Sequence, residues 1–389
     1  MERQACLGDV ADFVNGAAFK PEDWGDDGHP IIRIQNLTDR SKPFNRTRRS
    51  VNEKLYVNPG DLLVSWSATL GVFKWDRAET GVLNQHIFRV IPDSSKIDKA
   101  YLRHALVVAL LAMQRHLHGA TMQHVNRGEF LATPLRLPPL PEQRRIAAIL
   151  DQADALRAKR WEALAQLDSL TQSIFIEMFG DPVRNPKGWQ RIALGELLSA
   201  IDSGWSPVCL DRPVLNGEWG VLKLGAITSC SYDSTANKAL PDSVAPDPSI
   251  EVKSGDLLFS RKNTYELVAA CAYVEQTSPR LMMSDLIFRL QVDDETRLAK
   301  PYLHALLTNA AKRQEVQKLA GGSSGSMPNI SKARLRDLLI ELPPLHLQRT
   351  FATSSQAVES LKTTHRAALT ELDTLFASLQ HRAFAGQLS

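Results

Sequence analysis

The side chains best suited to gripping a phosphate backbone or reading a base edge fall in a few places along the chain. Residues 40–54 carry Arg40, Lys42, Arg46, Arg48, Arg49 and Lys54 against Glu53 alone. Such a surplus can neutralise phosphates, although a solvated basic loop reads the same way. Arg46, Arg48 and Arg49 suit phosphate contact better than base reading. A different chemistry is on offer at Ser260–Asn263, where Arg261, Lys262 and Asn263 follow a short apolar run. Arg there can pair bidentately with guanine, and Asn with adenine. The corresponding upstream stretch, Ser65-Trp66-Ser67, is less polar, and Trp66 reads equally as core or as contact. Gln85, His86, Gln123 and His124 add polar loop candidates, as do Ser326 and Asn329 in the stretch 324–329.

No set of residues makes a comparable case for catalysis. An adenine methyltransferase needs an Asn/Asp-Pro-Pro-aromatic loop to hold its flipped base, and Asn185-Pro186-Lys187 lacks both the second proline and the aromatic. The glycine-rich GGSSGS at 321–326 has no following Lys-Ser/Thr, so it is not a nucleotide P-loop. His116, His118 and His124 have no Cys or carboxylate to complete a metal set. Cys6, Cys209, Cys230 and Cys271 lie far apart without a CxxC pair, which suits reduced thiols. The expectation is a non-catalytic chain with no metal and no cofactor of its own.

What must position these residues is a duplicated scaffold. LPPLPEQRRIA at 137–147 recurs as LPPLHLQRTFA at 342–352, and the same separation continues through Leu156/Leu361, Leu164/Leu369, Asp168/Asp373, Leu170/Leu375 and Phe179/Phe384. Before each copy, VNPGDLLVS at 57–65 answers VKSGDLLFS at 252–260, and HIFR at 86–89 answers LIFR at 286–289. The separation drifts along these blocks, as loop insertions between two copies of one fold would make it. The sequence divides into a block at 1–137, a long helix at 138–181, a second block at 182–341 and a second helix at 342–389.

The helices are read from an uninterrupted run without Gly or Pro between Glu142 and Phe179, begun by Pro138, Pro139 and Pro141. Ile146, Ile149, Ala153, Leu156, Arg160, Ala163, Leu167, Leu170 and Ile174 follow a 3,4 rhythm. The copy repeats it at Phe351, Ser354, Val358, Leu361, His365, Ala368, Leu372, Leu375 and Leu379. This heptad seam predicts two helices that pair with each other. A length of about 57 Å at 1.5 Å per residue is too long for packing on one small domain. Arg160 and His365 interrupt both seams at the same heptad position, either covering it with their stems or fixing its register. The blocks read as irregular α+β domains. Short strands such as Asp61–Ser65, Gln85–Ile91 and Asp256–Phe259 lie between turn residues, and each block has one helix, at Ala100–His116 and Pro301–Leu319.

The 389 residues give room for two or three domains, and 43% hydrophobic with 23% charged residues fits a soluble globular protein. No stretch approaches the roughly 18 consecutive apolar residues of a membrane span. The first twenty residues carry Glu2, Asp9 and Asp12 without an apolar core, unlike a secretory leader, so the expected location is cytoplasmic. A net charge of +3 is small for a dedicated nucleic-acid binder.

The run LPPLPEQRRIAAILDQADALRAKRWEALAQLDSLTQSIFIEMFGDP resembles the central helical region of the DNA-specificity subunit of type I restriction-modification systems. The copy through Leu379 resembles that family's distal helical region, and the GDLLxS strands resemble those of its target recognition domains. The second copy departs at His346 and Leu347, where the first has Pro141 and Glu142, leaving its helix start in question. The resemblance implies two target recognition domains separated by an antiparallel coiled coil, each reading one half of a split site in double-stranded DNA. It further implies two methyltransferase subunits carrying S-adenosylmethionine, and restriction subunits using ATP and Mg. The chain itself would supply specificity without catalysis. The rival reading is a coiled-coil adaptor that gathers proteins without touching DNA.

Overall fold

The structure, a computed structural model, describes residues 4–116, 126–321 and 327–388. It is α+β and divides into two compact units, Met1–Trp161 with Ala367–Ser389, and Glu162–Arg366. Each of the two long helices, the central Leu140–Phe179 and the distal Leu345–Phe384, is 40 residues and contributes one half to each unit.

The first unit is built on a four-stranded sheet in the order Ala11–Asn15, Ile87–Pro92, Leu62–Ser65, Gly71–Lys74, all antiparallel. A second small sheet joins Arg46–Thr47, His29–Ile32, Gly81–Leu83 and Tyr56–Val57. The second unit repeats the main sheet as Leu198–Ser203, Ile287–Val292, Leu257–Ser260, Cys271–Tyr273. In both, the GDLLxS motif is an entry device for the third strand in this order. Gly60 and Gly255 turn at φ of 91° and 88°, where a side chain would be strained. Asp61 accepts from the Asn58 amide and Asp256 from the Lys253 amide, each at 2.9 Å. The same carboxylates pair with the arginine of the IFR strand, Arg89 to Asp61 at 2.9 Å and Arg289 to Asp256 at 3.3 Å. The motif therefore ties two neighbouring strands together.

The PPL-x-x-Gln segments lock each long helix onto its block. Gln143 is fully buried; its Oε1 accepts from the Asp98 amide at 2.7 Å, and its Nε2 donates to Lys96 and Pro138 carbonyls. Gln348 repeats this with the Ala299 amide and the Arg297 and Pro343 carbonyls. The departures at His346 and Leu347 leave this lock untouched, because the glutamine carries it.

Within the first unit the helix halves run antiparallel: Arg145 donates to the Leu388 carbonyl at 2.6 Å, and Arg157 pairs with Asp373 at 2.6 Å while lying over Phe376. The second unit shows the repeat-related arrangement, with Lys362 pairing with Asp168 at 2.9 Å and Phe351 against Phe175 and Phe179. Part of the expected seam must be corrected. Ile146 and Val358 are buried, Ile149, Ile174 and Leu379 pack at core edges, and Arg160, Leu167, His365 and Leu372 are half-buried. Leu156, Leu170, Leu361 and Leu375, however, are 42–51% exposed. Leu150, Leu164 and Leu369, each one step on from another expected seam position (Ile149, Ala163 and Ala368), are buried. Arg157 and Lys362 must face inward to reach Asp373 and Asp168, and that rotation turns Leu156 and Leu361 outward.

The helix expected at Pro301–Leu319 is two, Lys300–Thr308 and Ala310–Gln317. Asn309 breaks it by leaving helical geometry (φ −57°, ψ 130°) and capping the second piece through the Ala311 and Lys312 amides.

Candidate nucleic-acid interface

In an antiparallel sheet, alternate strand ends share an edge, and this gathers the candidate residues. In the first unit Asn15 faces Phe88 and Ser65 faces Ile87, so the segments following Asn15 and Ser65 and preceding Ile87 emerge together. Gly16 donates to the Ile87 carbonyl at 3.1 Å, Gln85 to that of Ala17 at 2.8 Å and Trp66 to that of His86 at 3.2 Å. A Cβ on Gly16 would lie 2.0 Å from the Asn84 carbonyl oxygen, so only glycine permits this approach. In the second unit Ser203 faces Phe288 and Ser260 faces Ile287, and Arg261 donates its amide to the Leu286 carbonyl at 3.0 Å. Gly204 repeats the role of Gly16, its Cβ position lying 2.2 Å from the Met283 oxygen.

The structure thus brings Gln85 and His86 beside Trp66, and Arg261, Lys262 and Asn263 beside Asn329. Trp66 is half-buried, stacked on Phe88 with ring centroids 5.7 Å apart, edge-on to His86 at 4.9 Å, and donates Nε1–H to Asn15 Oδ1 at 3.1 Å. Gln85 is exposed, and His86 adopts a φ of 71°. At the equivalent place Arg261 lies over Phe288 at 5.1 Å and donates Nε–H to Asn329 Oδ1 at 3.1 Å. Lys262 and Asn329 form a β-bridge. Asn263 is 6% exposed; its Oδ1 accepts from the Thr264 amide, and its Nδ2 has no hydrogen-bond partner among the described residues. The buried Ser260 and Ser284 hydroxyls are likewise without partners there. Gln123, His124 and Ser326 lie outside the described residues.

Arg46, Arg48 and Arg49 sit on and beside the smaller sheet, each with a carboxylate. Arg46 pairs bidentately with Glu79 at 2.6 and 3.0 Å, which holds the Glu79 carboxyl below its ordinary range and raises the guanidinium. Arg48 pairs with Asp27. Arg49 pairs with Asp23 at 3.1 Å, stacks on Phe19 and donates to the Ala18 carbonyl at 3.0 Å, which brings it to the loop leaving Gly16. A phosphate at any of the three must compete with an acid already in place.

Sequence reasoning missed Phe88 and Phe288 as platforms, Asn15 as the Trp66 partner, and Lys332, whose ammonium lies 5.6 Å over Phe288. The recurring Ile-Phe-Arg was the available signal. Among the described residues no cluster of three or more His, Cys, Asp or Glu could hold a metal ion. The described cysteines are free thiols, and no described helix is long and apolar enough to cross a membrane.

Two like α+β units, each presenting polar and aromatic side chains at one sheet edge and each containing half of two long helices, define a duplicated α+β protein. Residues 3–166 match the Type I restriction modification DNA specificity domain. It is 36% identical over 168 residues to the Type I restriction enzyme EcoEI specificity subunit of Escherichia coli, covering 43% of this chain and 28% of that protein. It is 30% identical over 229 residues to the EcoBI specificity subunit of the same species, covering 56% and 48%. The matches thus span about half or less of these relatives' lengths. The fold is shared along nearly the whole chain with the S subunit of a type I restriction-modification system from M. genitalium, at a TM-score of 0.62 and 13% identity, covering 99% and 96%. A structure described for complex assembly and conformational transition of the type I R-M system matches at a TM-score of 0.53 and 18% identity, covering 99% and 98%.

Proposed function

We propose that the chain is the DNA-specificity subunit of a type I restriction-modification complex, each block reading one half of a bipartite site in double-stranded DNA. The observation that carries this is the repeated sheet edge. Two copies of one fold place different side chains, Trp66 with Gln85 and His86 in one and Arg261 with Lys262, Asn263 and Asn329 in the other, at the same strand ends. Equivalent geometry with unlike chemistry is what reading two unlike half-sites requires. Arg46, Arg48 and Arg49 are the phosphate contacts of the first block in this reading, and Gln123, His124 and Ser326 are further DNA contacts proposed from the sequence alone.

The long helices set the separation between half-sites and dock two methyltransferase subunits. Leu156, Leu170, Leu361 and Leu375 are the contacts proposed for that docking, since they are repeat-related and exposed. The chain supplies no catalysis. S-adenosylmethionine belongs to the methyltransferase partners and ATP with Mg to restriction subunits, in a cytoplasmic complex.

Binding to a library of duplexes, with and without the methyltransferase partner at one fixed salt concentration, tests this. A modest net charge of +3 supplies few phosphate contacts, so specific affinity should appear mainly with the partner present. Absence of any sequence preference in both cases would overturn the reading.

A further inference from the structure

The residue that follows each GDLLxS strand is held by the same three devices in both units. Trp66 and Arg261 each donate the backbone amide to a carbonyl of the segment before the IFR strand, each lie on that strand's phenylalanine, and each give their inner ring or guanidinium N–H to an asparagine side chain. For Arg261 the consequence is specific. Its Nε–H is used by Asn329 and its guanidinium lies over Phe288, so the two terminal nitrogens remain as a fork without a hydrogen-bond partner among the described residues. Lys332 over the same ring adds positive charge beside it. A guanidinium fixed at Nε and on one face can no longer swing to follow a phosphate, and the pair of donors it presents fits the O6 and N7 acceptors of guanine. The buried and unpartnered Asn263 Nδ2 and Ser260 Oγ flank it in sequence, as expected where a polar ligand completes the bonding.

We propose that Arg261 reads a guanine in the half-site of the second block, and that Asn329 and Phe288 are the positioning residues that aim it. Trp66 fills the equivalent place in the first block, where no such fork exists, so the other half-site is read there without a bidentate guanine contact. This rests on the specificity-subunit reading above and names what one of its two surfaces recognises.

The test is competition binding by the assembled complex with its methyltransferase partner, across duplexes varied one base pair at a time. Arg261→Ala should cost about tenfold or more in discrimination at a single G·C pair of one half-site, with discrimination in the other half-site and the melting temperature retained. Arg261→Lys should fail to restore it in full, because an ammonium has no Nε–H to give Asn329 and no planar fork for that residue to hold in place. Asn329→Ala should weaken discrimination at that same pair while leaving the salt dependence of binding unchanged. A wild-type complex without any base preference would overturn the parent reading. With wild-type preference intact, three results would each overturn the Arg261 assignment alone. These are relaxation at a pair other than G·C, full rescue by lysine, or a uniform loss on all sequences with a shallower salt slope, which marks a phosphate contact.

Discussion

At the residue scale, repeated motifs turn out to be fastenings. Gln143 and Gln348 each make three hydrogen bonds to backbone in a fully buried setting. Each unpaired buried group costs about 1–3 kcal/mol, so Gln143→Ala or Gln348→Ala should lower unfolding free energy by at least about 2 kcal/mol in a denaturant titration. Arg157→Ala, which removes a partly exposed ion pair, should cost under about 1 kcal/mol; a larger loss there than at the glutamines would reverse this ranking. The buried His104 and the half-buried His304 carry a pH dependence. Burial pushes His104 below its ordinary value, and Arg103 adds to this, while contacts with Asp151 and Asp154 oppose it without prevailing. Burial does the same to His304 against the opposing Cys230 carbonyl. A histidine held neutral contributes its stability in full above the unfolded value near 6.5 and loses it as pH falls toward the lower folded value. Denaturation midpoints should therefore drop between pH 7.5 and 5.5, and His104→Gln should flatten part of that slope; a midpoint that rises on acidification would contradict the assignment. Sequence could flag these residues as repeated or polar. It could not show Asp61 meeting Arg89, since that pairing exists only once the strands are side by side.

At the element scale, the two long helices were legible almost to their ends, because helix formers without Gly or Pro and a proline start leave little alternative. Their facing was legible at most seam positions but not at Leu156, Leu170, Leu361 and Leu375. Hydrophobicity favours Leu156 over Arg157 as a seam residue, and only the distant Asp373 turns that choice around. The leucines so displaced supply a prediction. Leu156→Glu with Leu361→Glu should leave stability within about 0.5 kcal/mol, as exposed substitutions do, while weakening co-purification with the methyltransferase partner. Retained partner binding would remove these leucines from the docking surface. A second prediction concerns helix length. Removing Ala158–Leu164 together with the repeat-related Thr363–Leu369 keeps heptad phase and preserves both Arg157–Asp373 and Lys362–Asp168. About 10 Å of helix is lost at 1.5 Å per residue, or about three base-pair steps of 3.4 Å. The preferred gap between half-sites should shorten accordingly; an active deletion with an unchanged gap would show that the helices are not the ruler. The split at Asn309 was hidden for the opposite reason: asparagine is tolerated inside a helical pattern, and only its capping geometry reveals the break.

At the scale of the whole molecule, the duplication explains why the overall plan could be read from sequence while the reading surfaces could not. Repeated strands and helices leave matching letters, whereas the residues at the sheet edge differ between copies, Trp66 against Arg261 and Gln85-His86 against Asp285-Leu286. Under the proposed function, divergence there gives the two blocks separate targets, and it removes the signal that a repeat search relies on. The claim that two independent readers share one chain is tested most directly by selecting sites from a randomised duplex library. The assembled complex would be compared in two forms, wild type and one whose residues 182–341 are exchanged for the corresponding block of a relative with another specificity. The account predicts two short runs of specified base pairs separated by an unspecified run of constant length, with only one run changing in the exchanged protein. A single continuous site, or a change in both runs together, would contradict it.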